Sequence, residues 1–347
     1  MRERVKIPIE NIYYLLCYAW DKLAEKDIVA VAVDDTTTLP NLFARVLING
    51  THHLLKRGFD RGYVPEHEWT ARLRGRICFK EAFERNATVT GRLPCDYDEL
   101  SYNVLHNRIL KATMRRLTRT QGLATEHLEE LTQLCRLFSD IQDIELSNRV
   151  FGQVQLHRNN QFYDFLLKVC ELVFHNLLVT EKPGVSKFRE FAQDRQQMAA
   201  LFEAFIRNFY RVHTQYVVKR EDIYWHWIAA DQVAAGLLPK MQTDISLTSK
   251  TRKIIIDCKF TPEATQRHFM AGEADTLRSA HIFQINAYMD NLEGEWAETC
   301  EMMLLYPTVD SPLAADYRHK EHKIRIRTIN LNQPWPGIHK DLLALVA

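Results

Sequence analysis

The segment MQTDISLTSKTRKIIIDCKF, residues 241–260, predicts the architecture of the C-terminal half of the chain. Two runs of apolar and β-branched residues, 245–248 and 254–256, flank the polar cluster at 249–252. This pattern is typical of a β-hairpin, with one strand on each side of a polar turn. The segment therefore predicts two neighbouring antiparallel strands.

The hairpin also predicts the position of two carboxylates. A turn centred on 249–252 places Asp244 opposite Asp257 and pairs Ile245 with Ile256 on the other face of the sheet. Directly opposed residues have Cβ atoms about 4.5–5.5 Å apart, so two carboxylates there repel unless a proton or a cation lies between them. The register therefore indicates that the two carboxylates share a proton or bind a cation, and a hard divalent cation is the obvious candidate.

Lys259 completes a candidate metal site. Because side chains alternate along a strand, Asp257 and Lys259 project from one face and the Cys258 side chain from the other. Carboxylate oxygens suit Mg²⁺, and a neighbouring ammonium group can orient water and stabilise charge on a phosphate. Asp244 and Asp257 are therefore a candidate Mg²⁺ site for phosphodiester hydrolysis, with Lys259 beside them. The alternative is a solvated strand face, since Asp-x-Lys is a common tripeptide.

Composition restricts the class of protein. The 347 residues suffice for two domains with separate cores, and 46% hydrophobic and 26% charged residues are ordinary for a globular protein. A net charge of +1 argues against a basic coat for nucleic acid, so DNA contacts must come from local patches or from a partner. The sequence shows neither an apolar run of transmembrane length nor a secretory signal, which predicts a cytoplasmic protein without a membrane partner.

Several cofactor classes are disfavoured. The cysteines are widely scattered without a C-x-x-C pair, which indicates reduced thiols and neither disulfides nor a zinc site; they stand at 17, 78, 95, 135, 170, 258 and 300. The histidine pairs at 52–53 and 319/322 lack cysteines at ligand spacing. No glycine precedes a lysine, so there is no phosphate loop, and any nucleotide would be hydrolysed by another chain.

Periodicity predicts an α/β protein, α+β overall. Helices are predicted at 7–23, 39–57, 99–119, 126–138, 162–178, 194–213 and 276–292. Strands are predicted at 29–33, 69–79, 88–93, 216–218, 223–228, 245–248, 254–256, 302–306 and 319–329. The order of the later elements indicates a mixed sheet flanked by helices, preceded by a helical domain with a small β finger. The polar stretch 139–160 sets the predicted domains at 1–155 and 156–347.

Two further features allow more than one interpretation. Arg72, Arg74 and Arg76 recur at period two on a predicted strand, and they form either a solvated face or a basic hairpin that contacts phosphate or an acidic partner. Glu203 lies beside the apolar stripe of the helix at 194–213. It is either a surface residue or the first acid of the metal site.

The C-terminal half resembles a PD-(D/E)xK nuclease domain. Asp244 on one strand, Asp257-Cys258-Lys259 on the next and a later helix carrying Gln284-x-x-x-Tyr288 follow the order of that superfamily. The helix resembles the Q-x-x-x-Y helix of its RecB-like branch, although threonine stands at 243, where the superfamily motif has proline. The resemblance implies catalytic roles for Asp244, Asp257 and Lys259 and supporting roles for Gln284 and Tyr288, which would hold the lysine or contact the DNA backbone. In the hypothesis that follows, Asp244, Asp257 and the Cys258 carbonyl hold Mg²⁺.

Nearly the whole chain resembles the McrC family of modification-dependent McrBC restriction systems. The similar segments are 7–20, 74–77, 107–111, 239–245, 255–260 and 330–335. This resemblance implies a McrB-like AAA+ GTPase hexamer that binds GTP, recognises methylated cytosine and translocates double-stranded DNA, while the present chain cuts the DNA. It also implies stimulation of the GTPase by an N-terminal finger, for which 72–76 is the candidate. Cutting both strands would need two copies of the chain, which suggests a McrC–McrC contact.

Two rival functions remain open at this stage. In the first, the chain is a non-catalytic assembly and activator subunit of an AAA+ motor, and the nuclease fold is only a scaffold. In the second, the chain is a stand-alone DNA nuclease that cuts without nucleotide. The complete Asp, Asp, Lys set argues against the first, and the near-neutral charge does not favour the second.

Overall fold

The computed structural model describes residues 7–23, 38–85, 91–157, 160–179, 186–188, 194–228, 230–261, 265–266, 276–308 and 312–347. The predicted strand at 29–33 and the first half of the one at 88–93 lie outside these residues. The helices are α1 Ile9–Ala19, α2 Leu39–Arg57, α3 Phe79–Glu84, α4 Leu105–Leu117, α5 Thr125–Leu137, α6 Asn148–Gly152, α7 Gln161–Asn176, α8 Arg195–His213, α9 Gln232–Leu237, α10 Ser279–Asp290 and α11 Trp335–Val346. Within the described chain, none of them is both long and apolar enough to cross a bilayer.

The strands range from two to nine residues in both halves of the chain. They are β1 Gly62–Thr70, β2 Arg76–Ile77, β3 Leu93–Ser101, β4 Leu177–Val179, β5 Ser186–Phe188, β6 Val217–Lys219, β7 Asp222–Ile223, β8 Met241–Gln242, β9 Ile245–Thr248, β10 Lys253–Cys258, β11 Thr265–Gln266, β12 Thr276–Leu277, β13 Glu301–Thr308, β14 Ala314–His319 and β15 His322–Asn330. A 3₁₀ turn covers Gly294–Trp296.

Six of these strands form one mixed sheet in the order β14-β15-β13-β10-β9-β6. β13 runs parallel to both β10 and β15, and the other neighbours are antiparallel. Every residue of β10 is buried, which requires cover on both faces of the sheet. The predicted mixed sheet flanked by helices is confirmed.

Helices cover this sheet through apolar contacts. On one face, α10 contributes Ile285 and Tyr288 to a buried cluster that also holds Ile255 of β10 and Met302 of β13. The helix α8 lies against β10 as well. Since α8 and α10 carry Glu203 and Gln284 respectively, these helices bring the candidate site residues to the strand that ends in Asp257.

The chain forms two compact units. The sheet unit comprises Met1–Leu23 with Glu190–Ala347, and the helical unit comprises Ala24–Arg189. This division differs from the predicted one at 155/156, because α1 packs in the sheet unit: the Asn11 Nδ2 donates to the carbonyl of Leu331 at 2.9 Å, and Tyr14 stacks on Trp335 at 4.4 Å between ring centroids.

The helical unit combines α2, α4, α5 and α7 with a three-stranded antiparallel sheet in the order β1-β3-β2. The sheet confirms the small β unit expected from the sequence, but the predicted strand at 69–79 is wrong in detail. β1 ends at Thr70, and the chain turns before the two residues of β2. Gly75 has a φ of 56°, and a Cβ there would collide with the carbonyl oxygen of Asp96. The close approach of another strand therefore bends the segment.

Three other predicted elements are shorter than expected. The helix predicted at 99–119 begins only at Leu105, because β3 extends to Ser101. The strand predicted at 223–228 ends at Ile223. Beyond it, the His226 N–H donates to the side chain of Asn291 at Oδ1, at 2.7 Å, and not to a neighbouring strand. The helix predicted at 276–292 is preceded by the two residues of β12.

Candidate active site

The hairpin of β9 and β10 has the register that the sequence predicts. Ile256 pairs with Ile245, and Ile254 pairs with Leu247. Asp244 directly precedes β9, and its Oδ2 accepts a hydrogen bond from the backbone N–H of Cys258 at 2.8 Å. The first predicted carboxylate therefore lies against the end of the strand that carries the second.

Asp257 is a buried carboxylate with a single cation beside it. Its side chain is 1% exposed, and its Oδ2 lies 2.6 Å from Lys259 Nζ. Its Oδ1 is buried and has no hydrogen-bond donor among the described residues. Desolvation of a carboxylate costs several kcal/mol unless its oxygens are satisfied. The free oxygen is therefore a position where a cation would be strongly favoured.

A chain of hydrogen bonds fixes Lys259. Its Nζ donates to Gln284 Oε1 at 2.7 Å, the Gln284 Nε2 donates to the Tyr288 hydroxyl at 2.8 Å, and that hydroxyl donates to the carbonyl of Gln242 at 2.9 Å. Gln284 and Tyr288 are one turn apart on α10, so both face the end of β10. The predicted Q-x-x-x-Y helix thus contacts the predicted lysine, while their catalytic roles stay predictions.

Removing the hydroxyl at the end of this chain tests its importance. We expect Tyr288→Phe to lower DNA cleavage about fivefold to tenfold, because one net hydrogen bond of about 1 kcal/mol no longer orients Gln284 and hence Lys259. Tyr210→Phe is the matched control, since the Tyr210 hydroxyl also donates to a carbonyl, that of Leu342, at 2.9 Å. Equal cleavage by both variants would contradict a positioning role for Tyr288.

Burial raises the proton affinity of both aspartates, and the charge of a neighbouring carboxylate adds to it: Asp257 acts on Asp244, and Glu203 acts on Asp257. Desolvation, followed by the charge of Asp257, raises the pKa of Asp244 to about 7. Desolvation also raises the pKa of Asp257, although Lys259 opposes the shift. The Cys258 thiol is buried, and desolvation raises its pKa well above the usual value, so it stays protonated and is no thiolate ligand.

Asp244→Asn should change the pH dependence of stability in the metal-free protein. The folded-state pKa of about 7 lies above the ordinary 3.8, so the folded chain binds the extra proton and loses stability as the pH rises between these values. Across that window, the free energy of unfolding of the wild type should fall by roughly 3 kcal/mol relative to the variant. Urea unfolding with chelator at both ends of the window measures this; a constant difference would contradict it.

Glu203 lies close enough to influence the aspartates. It projects from α8, which starts at the N-cap Asp194, and its charge raises the pKa of both Asp244 and Asp257. Two guanidiniums approach its Oε1: Arg207 at 2.6 Å and Arg220 at 3.6 Å. Its carboxylate does not form a cluster with the two aspartates in which all ligand atoms lie within 4.8 Å of one another. A metal-binding role for Glu203 stays a prediction.

Tyr306 and His281 lie near the site, but no sequence motif singles them out as functional residues. Tyr306 of β13 accepts or donates a hydrogen bond with His281 Nδ1 at 2.8 Å. Desolvation and then the Asp257 charge raise the pKa of Tyr306 to about 12, and desolvation and then Lys259 lower that of His281 to about 4. Tyr306 was predictable only as a buried strand residue, because its neighbour comes from a distant helix.

The predicted finger arginines lie in the helical unit, but not on one strand. Arg72 and Arg74 are in the turn after β1, and only Arg76 is in a strand, where it pairs with Asp96. The Arg72 N–H donates to Thr70 Oγ1 at 3.2 Å, and the Arg74 guanidinium lies 5.4 Å from the centre of the Tyr97 ring. The common strand face expected from period two is therefore wrong, and contact with a partner stays a prediction.

The arrangement defines a class of protein. Three features meet at one place beside the mixed sheet: an acid that precedes one strand, an Asp-x-Lys sequence at the end of the next strand, and a glutamine and a tyrosine one helical turn apart. This is the architecture of the PD-(D/E)xK nuclease fold. The chain belongs to the family of McrBC 5-methylcytosine restriction system components, whose family model matches residues 9–307.

One relative and two solved structures are similar to this chain. The chain is 28% identical over 342 residues to the type IV methyl-directed restriction enzyme EcoKMcrBC of Escherichia coli K12, covering 98% of this chain and 97% of that protein. It shares its fold with McrC bound to McrB AAA+ hexamers of Thermococcus gammatolerans, at a TM-score of 0.61 and 17% identity over 98% of this chain and 76% of the other. A cryo-EM structure of the McrBC complex from the same organism matches 59% of this chain and 58% of the other, at a TM-score of 0.44 and 22% identity.

Proposed function

We propose that this chain is the endonuclease subunit of a McrBC-like, GTP-dependent restriction system. It would cleave double-stranded DNA containing methylated cytosine by Mg²⁺-dependent phosphodiester hydrolysis. It would also stimulate the GTPase of a McrB-like AAA+ partner. The reaction would take place in the cytoplasm.

The observation that carries the nuclease proposal is the state of Asp257. Among the described residues its buried Oδ1 has no hydrogen-bond donor, and its Oδ2 is beside Lys259. Burial, and then the charge of Asp257, raises the pKa of the neighbouring Asp244 to about 7. Such perturbed acidic pairs are typical of functional sites. The oxygen donors fit a hard divalent cation, because it would satisfy the free oxygen and remove the repulsion between the carboxylates.

Each residue of the site would have a separate role in phosphodiester hydrolysis. Asp244 and Asp257, with the carbonyl of Cys258, would hold Mg²⁺. When bound, the ion would acidify a water molecule and screen the charge of the scissile phosphate. Lys259 would orient the attacking water and stabilise the negative charge that develops on the phosphate. Gln284 and Tyr288 hold the Lys259 ammonium in place, and they would limit its motion during the reaction.

The proposed partner would supply the functions that this sequence lacks. The chain has no phosphate loop, while the structure from Thermococcus gammatolerans contains McrB AAA+ hexamers with bound McrC. GTP binding and recognition of the modified base would therefore reside in the partner. The turn with Arg72 and Arg74 is exposed and basic, which suits contact with the partner's pore. Two copies of the chain would be required to cut both strands.

The test is a plasmid-cleavage assay with purified full-length chain. Methylated and unmethylated plasmids are compared with and without the AAA+ partner, GTP and Mg²⁺. We expect double-strand cuts only on methylated DNA with all components present. Absence of Mg²⁺-dependent cutting under every condition, with the GTPase still stimulated, would favour a non-catalytic activator. Cutting by the isolated chain without nucleotide would favour a stand-alone nuclease.

A further inference from the structure

A cluster of metal-ligand side chains lies in the helical unit, apart from the aspartates of the candidate active site. His67 of β1 and Asp96 of β3 are direct partners across the strands, and Cys78 follows β2 on the other side of β3. His67 Nδ1 lies 2.6 Å from Asp96 Oδ1, and Cys78 Sγ lies 2.9 Å from Asp96 Oδ2. Within the described ranges, this is the one trio of potential ligand atoms that all lie within 4.8 Å of one another.

The second nitrogen of His67 has the environment of a metal-bound imidazole. His67 Nε2 lies 2.8 Å from Glu81 Oε2, and Trp69 Nε1 donates to Glu81 Oε1 at 3.2 Å. Histidines that bind a metal through one nitrogen nearly always donate the other N–H to a carboxylate, a carbonyl or a water. Glu81 is itself held by Trp69, so the ring of His67 is oriented with Nδ1 toward Cys78 and Asp96.

The donor set selects the kind of ion. One imidazole nitrogen, one thiol sulfur and one carboxylate oxygen match the ligands of Zn²⁺ and differ from the all-oxygen sets of Mg²⁺ and Ca²⁺. Zinc bonds of about 2.0–2.3 Å separate neighbouring ligand atoms by more than three ångströms, so the short contacts of Asp96 must open slightly. His67 and Asp96 are about half exposed, with side-chain exposures of 47% and 51%, which leaves room for that adjustment.

We propose that His67 Nδ1, Cys78 Sγ and an Asp96 carboxylate oxygen bind one Zn²⁺ ion, with a water or an external donor in the fourth position. Binding converts the Cys78 thiol to a thiolate, and its proton passes to solvent together with any proton on Nδ1 of His67. The ion links β1 and β3 to the residue that directly follows β2. It therefore fixes the ends of the turn that carries Arg72 and Arg74.

Cobalt substitution tests this site in the full-length protein. Reduced, chelator-treated protein is titrated with Co²⁺ in excess Mg²⁺, and the thiolate-to-cobalt charge-transfer band is recorded. We expect one equivalent of Co²⁺ to produce the band, Zn²⁺ to bleach it and Cys78→Ser to abolish it. Cys135→Ser, which changes another partly buried cysteine of the same unit, should retain it. Absence of the band in the wild type, or an unchanged band in Cys78→Ser, would overturn the proposal.

Zinc affinity gives a second readout. In competition with a chromophoric chelator, Glu81→Gln should weaken Zn²⁺ binding about 10–100-fold by releasing the imidazole. Glu84→Gln on the same helix is the control and should leave the affinity unchanged. Equal affinities of the two variants would overturn the role of Glu81. Neither measurement involves DNA cleavage, so the zinc site and the proposed nuclease function succeed or fail separately.

Discussion

Asp257→Asn is expected to lower cleavage of methylated plasmid by about a thousandfold or more, with the AAA+ partner and GTP present. Asparagine keeps the shape of the side chain and can still accept a hydrogen bond from Lys259, but it removes the negative charge needed to hold a divalent cation. Metal ions contribute several kcal/mol of transition-state stabilisation in such reactions, and each 1.36 kcal/mol corresponds to about tenfold in rate. We expect Mg²⁺ to raise the melting temperature of the wild type, and the variant should lose this rise.

The matched control for this change is Asp290→Asn. Asp290 also pairs with a lysine, Lys320 at 3.2 Å, but its side chain is 57% exposed and lies outside the candidate site. Stimulation of the partner's GTPase should be unchanged in both variants. Normal cleavage by Asp257→Asn would refute the metal-ligand role, whereas loss of cleavage together with GTPase stimulation would indicate a folding defect.

The site was predictable where it depends on strand periodicity. Side chains alternate with a period of two, so a single register satisfies both the apolar pairs and the acids. The pairing of Ile256 with Ile245 confirms it. The Asp257–Lys259 contact follows from the same alternation. Strand periodicity alone does not give the position of the Lys259 ammonium group, because that depends on Gln284, which a separate helix brings to the site.

The sequence was less informative where distant backbone segments meet. The arginines at 72–76 show a strand pattern, but the nearby Asp96 carbonyl requires glycine at 75 and a turn. The amphipathic pattern of α1 predicts a buried face but does not indicate what covers it. The packing of this helix in the sheet unit was therefore not predicted. Spacing rules likewise missed the trio of His67, Cys78 and Asp96, because two members come from β1 and β3 and the third follows β2.

Lys259→Met should separate charge stabilisation from metal binding. The Lys259 Nζ contacts Asp257 at 2.6 Å and Gln284 at 2.7 Å, so methionine fills the same volume without the ammonium group. We expect cleavage to fall about 10²–10³-fold, the usual effect of removing one group that stabilises developing charge. Thermal stabilisation by Mg²⁺ should persist and strengthen, because the variant loses a cation that competes for Asp257. Loss of Mg²⁺ stabilisation here, as in Asp257→Asn, would contradict separate roles.

Lys253→Met provides a stringent comparison because Lys253 begins the strand that ends just before Lys259. Lys253 Nζ pairs with Glu221 Oε2 at 2.7 Å, and its side chain is 10% exposed against 17% for Lys259. Loss of one partner from a buried ion pair costs about 3–5 kcal/mol, so Lys253→Met should destabilise the fold measurably. Lys259→Met should cost less, because Asp257 already has a raised pKa and can take up a proton. Lys259→Met should therefore be the less destabilised variant and yet the one that loses cleavage. If Lys259→Met were the more destabilised of the two, Lys259 would be a structural residue.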